Sequence, residues 1–314
     1  MAFTATGMDN TLDRLQSGDR VAIIRLRSLG DCVLTTPAIR ILKNARPDLE
    51  IAVVVESRFS EVFSGNPDLS EILSPNIRDL RTFRPSLCLN LHGGGSSARL
   101  TAFSGARHRV GFAPFRPRSI YNISIPTAQI ILGVERKVHT AEHLASAAFF
   151  LGAPATEIPR ASLFASPAPP PPGVSGPYAV IHPVASHPSK TWPASWFLNV
   201  AQHLSRSLEL TPVFIAGPGE DLSQFQVWPT ISNAPLARIK SLLKQASLFI
   251  GNDSGPAHMA AAFGIPVVVL FGNSDPVIWA PWKTTAQVLV SDGPIHNIPE
   301  QSVIHALDRL SVHV

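Results

Sequence analysis

The sequence predicts an α/β protein built from two doubly wound, Rossmann-like parallel-sheet domains. Short apolar runs typical of buried strands alternate with segments of helical periodicity, and this alternation favours parallel sheets covered by helices. The 314 residues exceed the usual size of one hydrophobic core, and a proline-rich stretch lies near the middle of the chain. We therefore expect two domains of similar size that face a cleft.

Composition excludes several classes of protein. Charged residues make up 15% of the chain and the formal net charge is +4, without the basic runs typical of nucleic-acid binding. No apolar run approaches the roughly 20 residues that span a bilayer. The first ten residues lack the features of an export signal, so we expect a cytoplasmic protein. Two cysteines are too few for a disulfide framework or a zinc site.

The first half of the chain reads as alternating strands and helices. Apolar runs predict strands at 21–24, 51–55 and 86–91, and periodicity predicts helices at 33–45, 58–63, 97–103 and 141–151. Pro37 suits only the first turn of its helix. Asp31 follows the first strand, at the carboxyl end where open α/β sheets bind ligands, which makes it the first candidate catalytic residue.

A proline-rich linker at 165–176 separates the halves, because consecutive prolines form a stiff spacer that a sheet cannot contain. It divides the chain into a domain at 1–164 and a domain at 177–314. The second half continues with predicted strands at 178–181, 211–215, 247–250 and 265–270 and with helices at 196–204, 236–246 and 303–310.

Residues 249–264 predict a strand end, a tight turn and a helix of small residues, an arrangement that suits a phosphate. Asp253 or Ser254 is placed to cap the helix, Gly255 keeps side chains away from a ligand, and His258 adds a donor one turn later. Backbone N–H groups and the helix dipole favour a diphosphate at such an end. An ordinary capped helix has the same local features.

Two further loops of the second half follow predicted strands. The loop at 182–193 delivers Lys190 and Trp192, and the loop at 217–220 ends at Glu220, an acceptor for ribose hydroxyls. Carboxyl ends of parallel strands share one edge of a sheet, so these loops can face the same ligand as the 253 turn. A solvated lysine and a simple turn are the alternatives.

Two motifs fail on context. Gly93-x-Gly95-x-x-Ala98 resembles a dinucleotide fingerprint, but no acidic residue follows within thirty positions to bind a ribose. His139-x-x-Glu142-His143 matches a metal-binding pattern, yet a capped, solvated helix start explains it as well. We therefore predict neither a dinucleotide cofactor nor a metal.

Several segments together resemble one family, the ADP-heptose-using heptosyltransferases of lipopolysaccharide core synthesis, glycosyltransferase family 9. They are Gly30-Asp31, Leu91-His92-Gly93, Gly105-Ala106-Arg107, Arg109 to Phe112, Lys190-x-Trp192-Pro193, Gly217-x-Gly219-Glu220, Asp253 to His258, and Phe271-Gly272. The resemblance implies a GT-B fold, a donor nucleotide held mainly by the C-terminal domain, and metal-independent, inverting transfer. Asn90 and Val184 depart from the family pattern, where an acid and a glycine are usual.

The resemblance also implies roles for residues. Asp31 matches the general base, Lys190 the donor-phosphate lysine and Glu220 the ribose-side acid. The expected donor contacts are Ser186, Lys190, Trp192, Glu220, Asp253, Ser254, Gly255 and His258. Basic residues of the first domain suit an anionic acceptor, and we assign Arg25, Arg116 and Arg118 to it.

The predicted function is transfer of a heptose or similar sugar from an ADP-sugar to a lipid-linked saccharide, without a cofactor and with peripheral contact at the inner face of the membrane. Two alternatives stay open on the same residues. A nucleotide-sugar epimerase of this fold would need no lipid acceptor, and a binding protein would have no use for Asp31 and Lys190.

Overall fold

The computed structural model describes residues 9–185, 187 and 190–311. It divides into two compact units, with the boundary between Phe164 and Ala165. Unit 1 is the part before this boundary and unit 2 the part after it. No helix among the described residues is both long enough and apolar enough to cross a membrane.

Unit 1 is a parallel α/β sandwich. Its strands are β1 (Arg20–Ile24), β2 (Glu50–Val54), β3 (Glu71–Leu73), β4 (Leu87–Asn90), β5 (His108–Phe112) and β6 (Ile123–Ile125). Its helices are α1 (Leu29–Ala45), α2 (Ser57–Ser60), α3 (Ile77–Phe83), α4 (Gly95–Phe103), α5 (Ala128–Leu132) and α6 (Thr140–Phe150). The strands pair in the order β3-β2-β1-β4-β5-β6, all parallel. The order reverses between β1 and β4, and at such a point an open sheet leaves a crevice for a ligand.

Unit 2 repeats this topology. Its strands are β7 (Tyr178–His182), β8 (Thr211–Ala216), β9 (Thr230–Ser232), β10 (Leu248–Asn252), β11 (Val267–Phe271) and β12 (Ala286–Val290). Its helices are α7 (Ala194–Ser207), α8 (Leu236–Gln245), α9 (Gly255–Phe263), α10 (Pro276–Trp279) and α11 (Glu300–Ser311). The parallel order is β12-β11-β10-β7-β8-β9, so the switch point lies between β7 and β10. The predicted fold class is confirmed.

The central strands explain why the sheets form. Residues 21–24 and 51–54 are fully buried in unit 1, as are 178–182, 248–252 and 267–271 in unit 2. Continuous apolar runs of this length are typical of parallel strands covered by helices on both faces. Burial therefore stabilises the central strands. The loops that leave the carboxyl ends of these strands start from a rigid sheet.

The position of Pro37 was predicted wrongly. α1 begins at Leu29, four residues before the predicted start, so Pro37 lies inside the helix and not in its first turn. Proline has no N–H to donate to the carbonyl four residues earlier, here that of Val33. The hydroxyl of Thr36 donates to this carbonyl instead, at 2.8 Å. A neighbouring side chain thus replaces the missing backbone hydrogen bond.

The proline-rich segment is bound along α8. Its carbonyl oxygens accept hydrogen bonds from the side chains of this helix: Arg238 to Pro169, Ser241 to Ser166, Lys244 to Ala165 and Gln245 to Ala168, at 2.6–3.1 Å. Prolines offer carbonyls but no N–H groups, so polar helix side chains are suitable partners. These contacts hold the segment, the first part of unit 2, against α8.

Candidate active site

The loop between β1 and α1 places Asp31 in the first turn of α1. Ser28 is the N-cap and forms a capping box with Asp31, in which Oδ2 of Asp31 accepts from the Ser28 N–H at 3.5 Å. The Ser28 Oγ also donates to this Oδ2, at 3.1 Å. Nη1 of Arg25 lies 3.4 Å from Oδ1 of the same carboxylate. The Asp31 side chain remains 23% exposed, so one carboxylate is both oriented by the protein and open to solvent.

Arg25 is predicted to bind the acceptor, and the structure places it beside Asp31. Its side chain is buried, and Nη2 donates to the carbonyl oxygen of Leu91. Burial lowers the pKa of Arg25, while the Asp31 carboxylate opposes that shift. Because Arg25 is bonded to β4's end and paired with Asp31, it is better described as a positioning residue. Its burial argues against the predicted direct contact with an acceptor.

The loop after β4 lies across the same switch point. The Oδ1 of Asn90 accepts from the backbone N–H of His92 at 3.0 Å and of Gly93 at 3.1 Å, while its Nδ2 donates to Ser97 and Tyr121. The pKa of His92 is lowered by burial and by the positive charges of Arg25 and Arg27. Asn90 thus holds the loop through its Oδ1 acceptor, and its Nδ2 donors tie the loop to Ser97 and Tyr121.

In unit 2, three loops meet at the carboxyl edge of the sheet. His182, the last residue of β7, bridges two of them: its Nδ1 lies 3.1 Å from Oγ of Ser254 and its Nε2 lies 3.4 Å from Oε2 of Glu220. Nζ of Lys190 lies 3.7 Å from Oδ2 of Asp253. The predicted residues Lys190, Glu220, Asp253 and Ser254 are therefore brought together.

Sequence reasoning did not single out His182, although its position at the end of a buried strand was a usable signal.

Glu220 is held as an anion. The His182 hydrogen bond is the main reason that its pKa lies below the usual value, and the N–H of Gly217, which donates at 2.5 Å, lowers it further against the effect of burial. An ionised carboxylate accepts hydrogen bonds and donates none. Glu220 is therefore suited to accept from hydroxyl groups of a ligand.

Asn252, also missed from the sequence, clamps the loop that carries Lys190. Its side chain is fully buried at the end of β10. Its Oδ1 accepts from the N–H of Trp192 at 3.1 Å, and its Nδ2 donates to the carbonyl of Pro183 at 3.0 Å. The neighbouring Gly251 has no room for a side chain, since a Cβ there would lie 2.8 Å from the His182 carbonyl oxygen. Both ends of the loop are thus fixed to β10.

The N-terminus of α9 faces the turn with Asp253. Ser254 is the N-cap, but no side chain caps this helix, because the Ser254 hydroxyl is directed to His182. Pro256 occupies the first turn, where its missing N–H costs nothing. Gly255 is the first helical residue, and His258 is buried one turn further. Backbone N–H groups and the helix dipole make such an end favourable for an anion.

Four other predicted contact residues remain: Trp192, Ser186, Arg116 and Arg118. The indole of Trp192 is fully buried in the core of unit 2, and its Nε1 donates to the carbonyl of Ile298 at 2.9 Å. Burial argues against the predicted donor contact, and the residue instead anchors the loop beside Lys190. Ser186 lies outside the described residues. Arg116 and Arg118 are exposed in the segment after β5, as expected for a basic surface.

The His139-x-x-Glu142-His143 pattern is a helix cap. His139 is the N-cap of α6 and forms a capping box with Glu142. Glu142 also pairs with Arg136 at 2.6 Å, and the ring of His143 stacks on Phe112 at 4.1 Å. The predicted cap is confirmed, but the predicted solvation is wrong, because His139 and Thr140 are buried. Within the described residues, no group of three or more candidate ligands is arranged to hold a metal ion.

Two Rossmann-type parallel sheets, one in each unit, are the arrangement of the GT-B fold. The model of glycosyltransferase family 9 (heptosyltransferase) matches residues 77–307, and the chain belongs to this family. Lipopolysaccharide heptosyltransferase 3 of Escherichia coli K12 is 28% identical, with 90% of each chain covered. Lipopolysaccharide heptosyltransferase 1 of Pseudomonas aeruginosa PAO1 is 26% identical, over 88% of this chain and 84% of the relative.

Solved structures agree on the fold. The family 9 glycosyltransferase of Veillonella parvula superposes with a TM-score of 0.81 at 22% identity, covering 96% of this chain and 99% of the other. E. coli ADP-heptose heptosyltransferase II gives 0.77 at 20% identity, covering 93% and 98%. E. coli heptosyltransferase WaaC, solved with ADP, gives 0.74 at 18% identity, covering 92% and 99%.

Proposed function

We propose that this glycosyltransferase transfers heptose, with inversion, from ADP-heptose to a saccharide of the lipopolysaccharide core or a related lipid-linked acceptor. The observation that carries the proposal is the three-loop cluster of unit 2, in which His182 links Glu220 to Ser254 beside the Lys190–Asp253 pair. A nucleoside diphosphate sugar needs a cation and free helix N–H groups for its phosphates and a carboxylate that accepts hydrogen bonds from its ribose hydroxyls.

On the donor side, Lys190 and the N–H groups of α9 would bind the diphosphate, and Glu220 would accept from ribose hydroxyls. The bond between the anomeric carbon and the diphosphate breaks during transfer, so negative charge grows on the departing ADP. Groups that stabilise this charge accelerate the step. Lys190 therefore has a catalytic role as well as a binding role in this proposal.

On the acceptor side, Asp31 would accept the proton of the attacking hydroxyl as its oxygen bonds to the anomeric carbon. Arg25 and Ser28 contact the two carboxylate oxygens and orient the group. A general base within reach of the hydroxyl contributes about 10²–10⁴-fold to rate. The exposed Arg116 and Arg118 would meet anionic groups of the acceptor, and this basic segment would make peripheral contact with the lipid surface.

The test is incubation of the purified protein with ADP-heptose, with and without a heptose-deficient lipopolysaccharide acceptor. We expect ADP release and a heptose mass increase on the acceptor only when both substrates are present. Free nucleotide or an isomerised donor without an acceptor would instead favour the epimerase alternative. Tight ADP-heptose binding without turnover on any acceptor would favour a non-catalytic binding protein.

A further inference from the structure

Arginines line a surface cavity at the amino-end edge of the unit 1 sheet. The cavity has a volume of about 450 Å³, and its lining consists of Arg20, Arg78, Arg81, Thr82 and Arg84. No carboxylate contributes to this lining. Four guanidinium groups therefore share one concave surface.

The cavity lies away from the candidate active site. Arg20 is the first residue of β1, whereas Asp31 follows the last residue of this strand, so the two lie at opposite edges of the sheet. Arg81 and Thr82 belong to the C-terminal part of α3 and Arg84 is its C-cap, while Arg78 lies in the first turn of this short helix. A helix that follows a parallel strand runs back along the sheet, and its C-terminal end is therefore at the amino edge.

Two of the four guanidinium groups are oriented by the protein. Nε of Arg20 lies 2.7 Å from Oε2 of Glu50, its Nη1 donates to the carbonyl of Phe83, and the group lies 5.7 Å from the centre of the Phe83 ring. Nε of Arg81 donates to the carbonyl of Phe103 at 2.9 Å. Bonds at Nε or on one side of the fork leave a guanidinium with further N–H groups to donate.

The other two arginines, Arg78 and Arg84, are exposed, and the described residues provide no ion pair for either. A positive charge near a helix C-terminus interacts favourably with the helix dipole. This interaction explains the presence of arginine at positions 81 and 84 without any ligand. That reason does not extend to Arg20 on β1 or to Arg78 in the first turn of α3. Like charges gathered on one surface repel, and a bound anion relieves this repulsion.

An adjoining cavity of about 490 Å³ shares Arg20, Arg78 and Thr82 and is also lined by Glu71 and Asp79. The two carboxylates make this second cavity less favourable for an anion than the first. Two residues next to these lining residues carry exposed apolar side chains: Ile72 follows Glu71 in β3, and Phe103 accepts the Arg81 hydrogen bond through its carbonyl, with exposed fractions of 38% and 50%.

We propose that the arginine cavity binds a phosphate-bearing ligand. Guanidinium forks match phosphate oxygens in pairs, and the Thr82 hydroxyl adds a donor of the same kind. Such a phosphate has two sources, a small phosphorylated molecule in solution or the headgroup of an anionic lipid. The exposed side chains of Ile72 and Phe103 favour the lipid headgroup, because a membrane interface accepts apolar and aromatic side chains beside basic ones.

The experiment measures hydrogen exchange of the segment 77–84 in the full chain, with pyrophosphate in one arm and with phosphatidylglycerol vesicles in the other. Phosphatidylcholine vesicles are the uncharged reference. We expect protection in at least one arm, and the responding arm identifies the source. In R78Q/R84Q, the concentration of pyrophosphate or phosphatidylglycerol needed for protection should rise at least about tenfold, because the loss of one charge-assisted hydrogen bond weakens binding by about that factor.

The matched control is R160Q/R206Q, which removes two exposed arginines elsewhere and should leave the protection unchanged. K190A should also leave it unchanged, which separates this site from pyrophosphate bound at the donor loops and from the proposed transferase function. Thermal unfolding of each variant checks the fold. Protection in neither arm, or R78Q/R84Q that responds like the wild-type chain, would overturn the proposal.

Discussion

The Asp31 carboxylate belongs to a capping box and to an ion pair at the same time. Its contacts with Ser28 and Arg25 explain why an aspartate stands at this position even without catalysis, since both stabilise the start of α1. A structural role and a catalytic role therefore predict different outcomes for the same substitution. The structural role predicts a change in stability, and the catalytic role predicts a change in rate.

Asp31→Asn separates the two. The amide keeps an oxygen for the Ser28 contact but cannot accept a proton from a hydroxyl, so we expect kcat to fall about 10²–10⁴-fold while ADP-heptose affinity is unchanged. Steady-state kinetics and calorimetry measure the two quantities, and thermal unfolding monitors the cap. Turnover close to that of the wild-type chain would remove Asp31 from the mechanism.

Lys190→Ala tests the donor loops. Removing one charge-assisted contact to a phosphate should weaken ADP binding by about 1.5–3 kcal/mol, roughly ten- to a hundredfold, and Lys190→Arg should restore part of it. Calorimetry with ADP provides the measurement. Arg206→Ala, the loss of an exposed charge on α7 of the same unit, is the control and should have no effect. Equal ADP affinity in the Lys190 and Arg206 variants would show that Lys190 does not bind the donor and is a solvated surface residue.

At the scale of elements, the sequence predicts long buried strands and the loops after them. The runs at 21–24 and 178–181 locate β1 and β7, and parallel topology then places Asp31 and Lys190 at carboxyl edges. Three-residue strands such as β3 and β9 were not predicted, because Glu71–Leu73 and Thr230–Ser232 are too short and too polar to show a period.

Side-chain links between distant elements also escaped prediction. His182 contacts residues 38 and 72 positions away, and Asn252 reaches Trp192 across 60 positions. Such contacts depend on strand order, which brings β7 beside β8 and β10. A motif contains only residues that are close in sequence. The motifs therefore identified Glu220 and Ser254 but not His182, which links the two.

The proline inside α1 leads to a prediction about stability. Thr36→Val removes the donor to the Val33 carbonyl and the acceptor for the Ser162 N–H, so the free energy of unfolding should fall by about 1–3 kcal/mol. Thr35→Val is the matched control: its hydroxyl donates to the Asp31 carbonyl, which the helix backbone can also satisfy. Urea unfolding measures both. Equal losses in the two variants would contradict this account of Pro37.

At the scale of the whole molecule, the two units have different spectroscopic and acid–base properties. All five tryptophans of the chain lie in unit 2. In three of the four histidines of unit 1, His92, His108 and His143, the pKa is lowered from 6.5 with burial as the main cause. A buried histidine with a lowered pKa stays neutral in the folded chain but binds a proton in the unfolded chain.

The stability of unit 1 should therefore depend on pH. Below 6.5 the unfolded state binds more protons than the folded state, so stability falls as the pH drops from about 6.5 through the folded pKa values. Far-UV circular dichroism follows urea unfolding of both units, and tryptophan fluorescence follows unit 2 alone. We expect the unit 1 transition to move to lower urea between pH 7.5 and 5.5.

His143→Phe should reduce this dependence, because Phe keeps the stacking on Phe112 and does not titrate. A unit 1 transition at the same urea concentration at both pH values, or an unchanged dependence in this variant, would show that these histidines do not set the acid sensitivity.

The basic segment after β5 leads to the final prediction, which concerns the acceptor. Arg116 and Arg118 are exposed, and Nη1 of Arg116 contacts only the carbonyls of Ala113 and Phe115 among the hydrogen bonds of the described residues. A solvated basic face and an acceptor surface look alike in structure, but they differ in function. Attraction between exposed charges is screened over a Debye length of about 8–10 Å, so a true acceptor surface makes the acceptor KM dependent on salt.

We expect Arg116→Ala/Arg118→Ala to raise the acceptor KM several-fold and to flatten its rise with added salt, while ADP-heptose KM stays unchanged because the donor loops belong to unit 2. Arg160→Ala, which removes an exposed charge outside this segment, should retain the full salt dependence. Kinetics at about 0.05 and 0.3 M salt distinguish the two behaviours, since the Debye length changes about twofold over this range. If the double variant kept both the acceptor KM and the salt dependence of the wild-type chain, the segment would be solvated surface, and the anionic part of the acceptor would have to bind elsewhere on the chain.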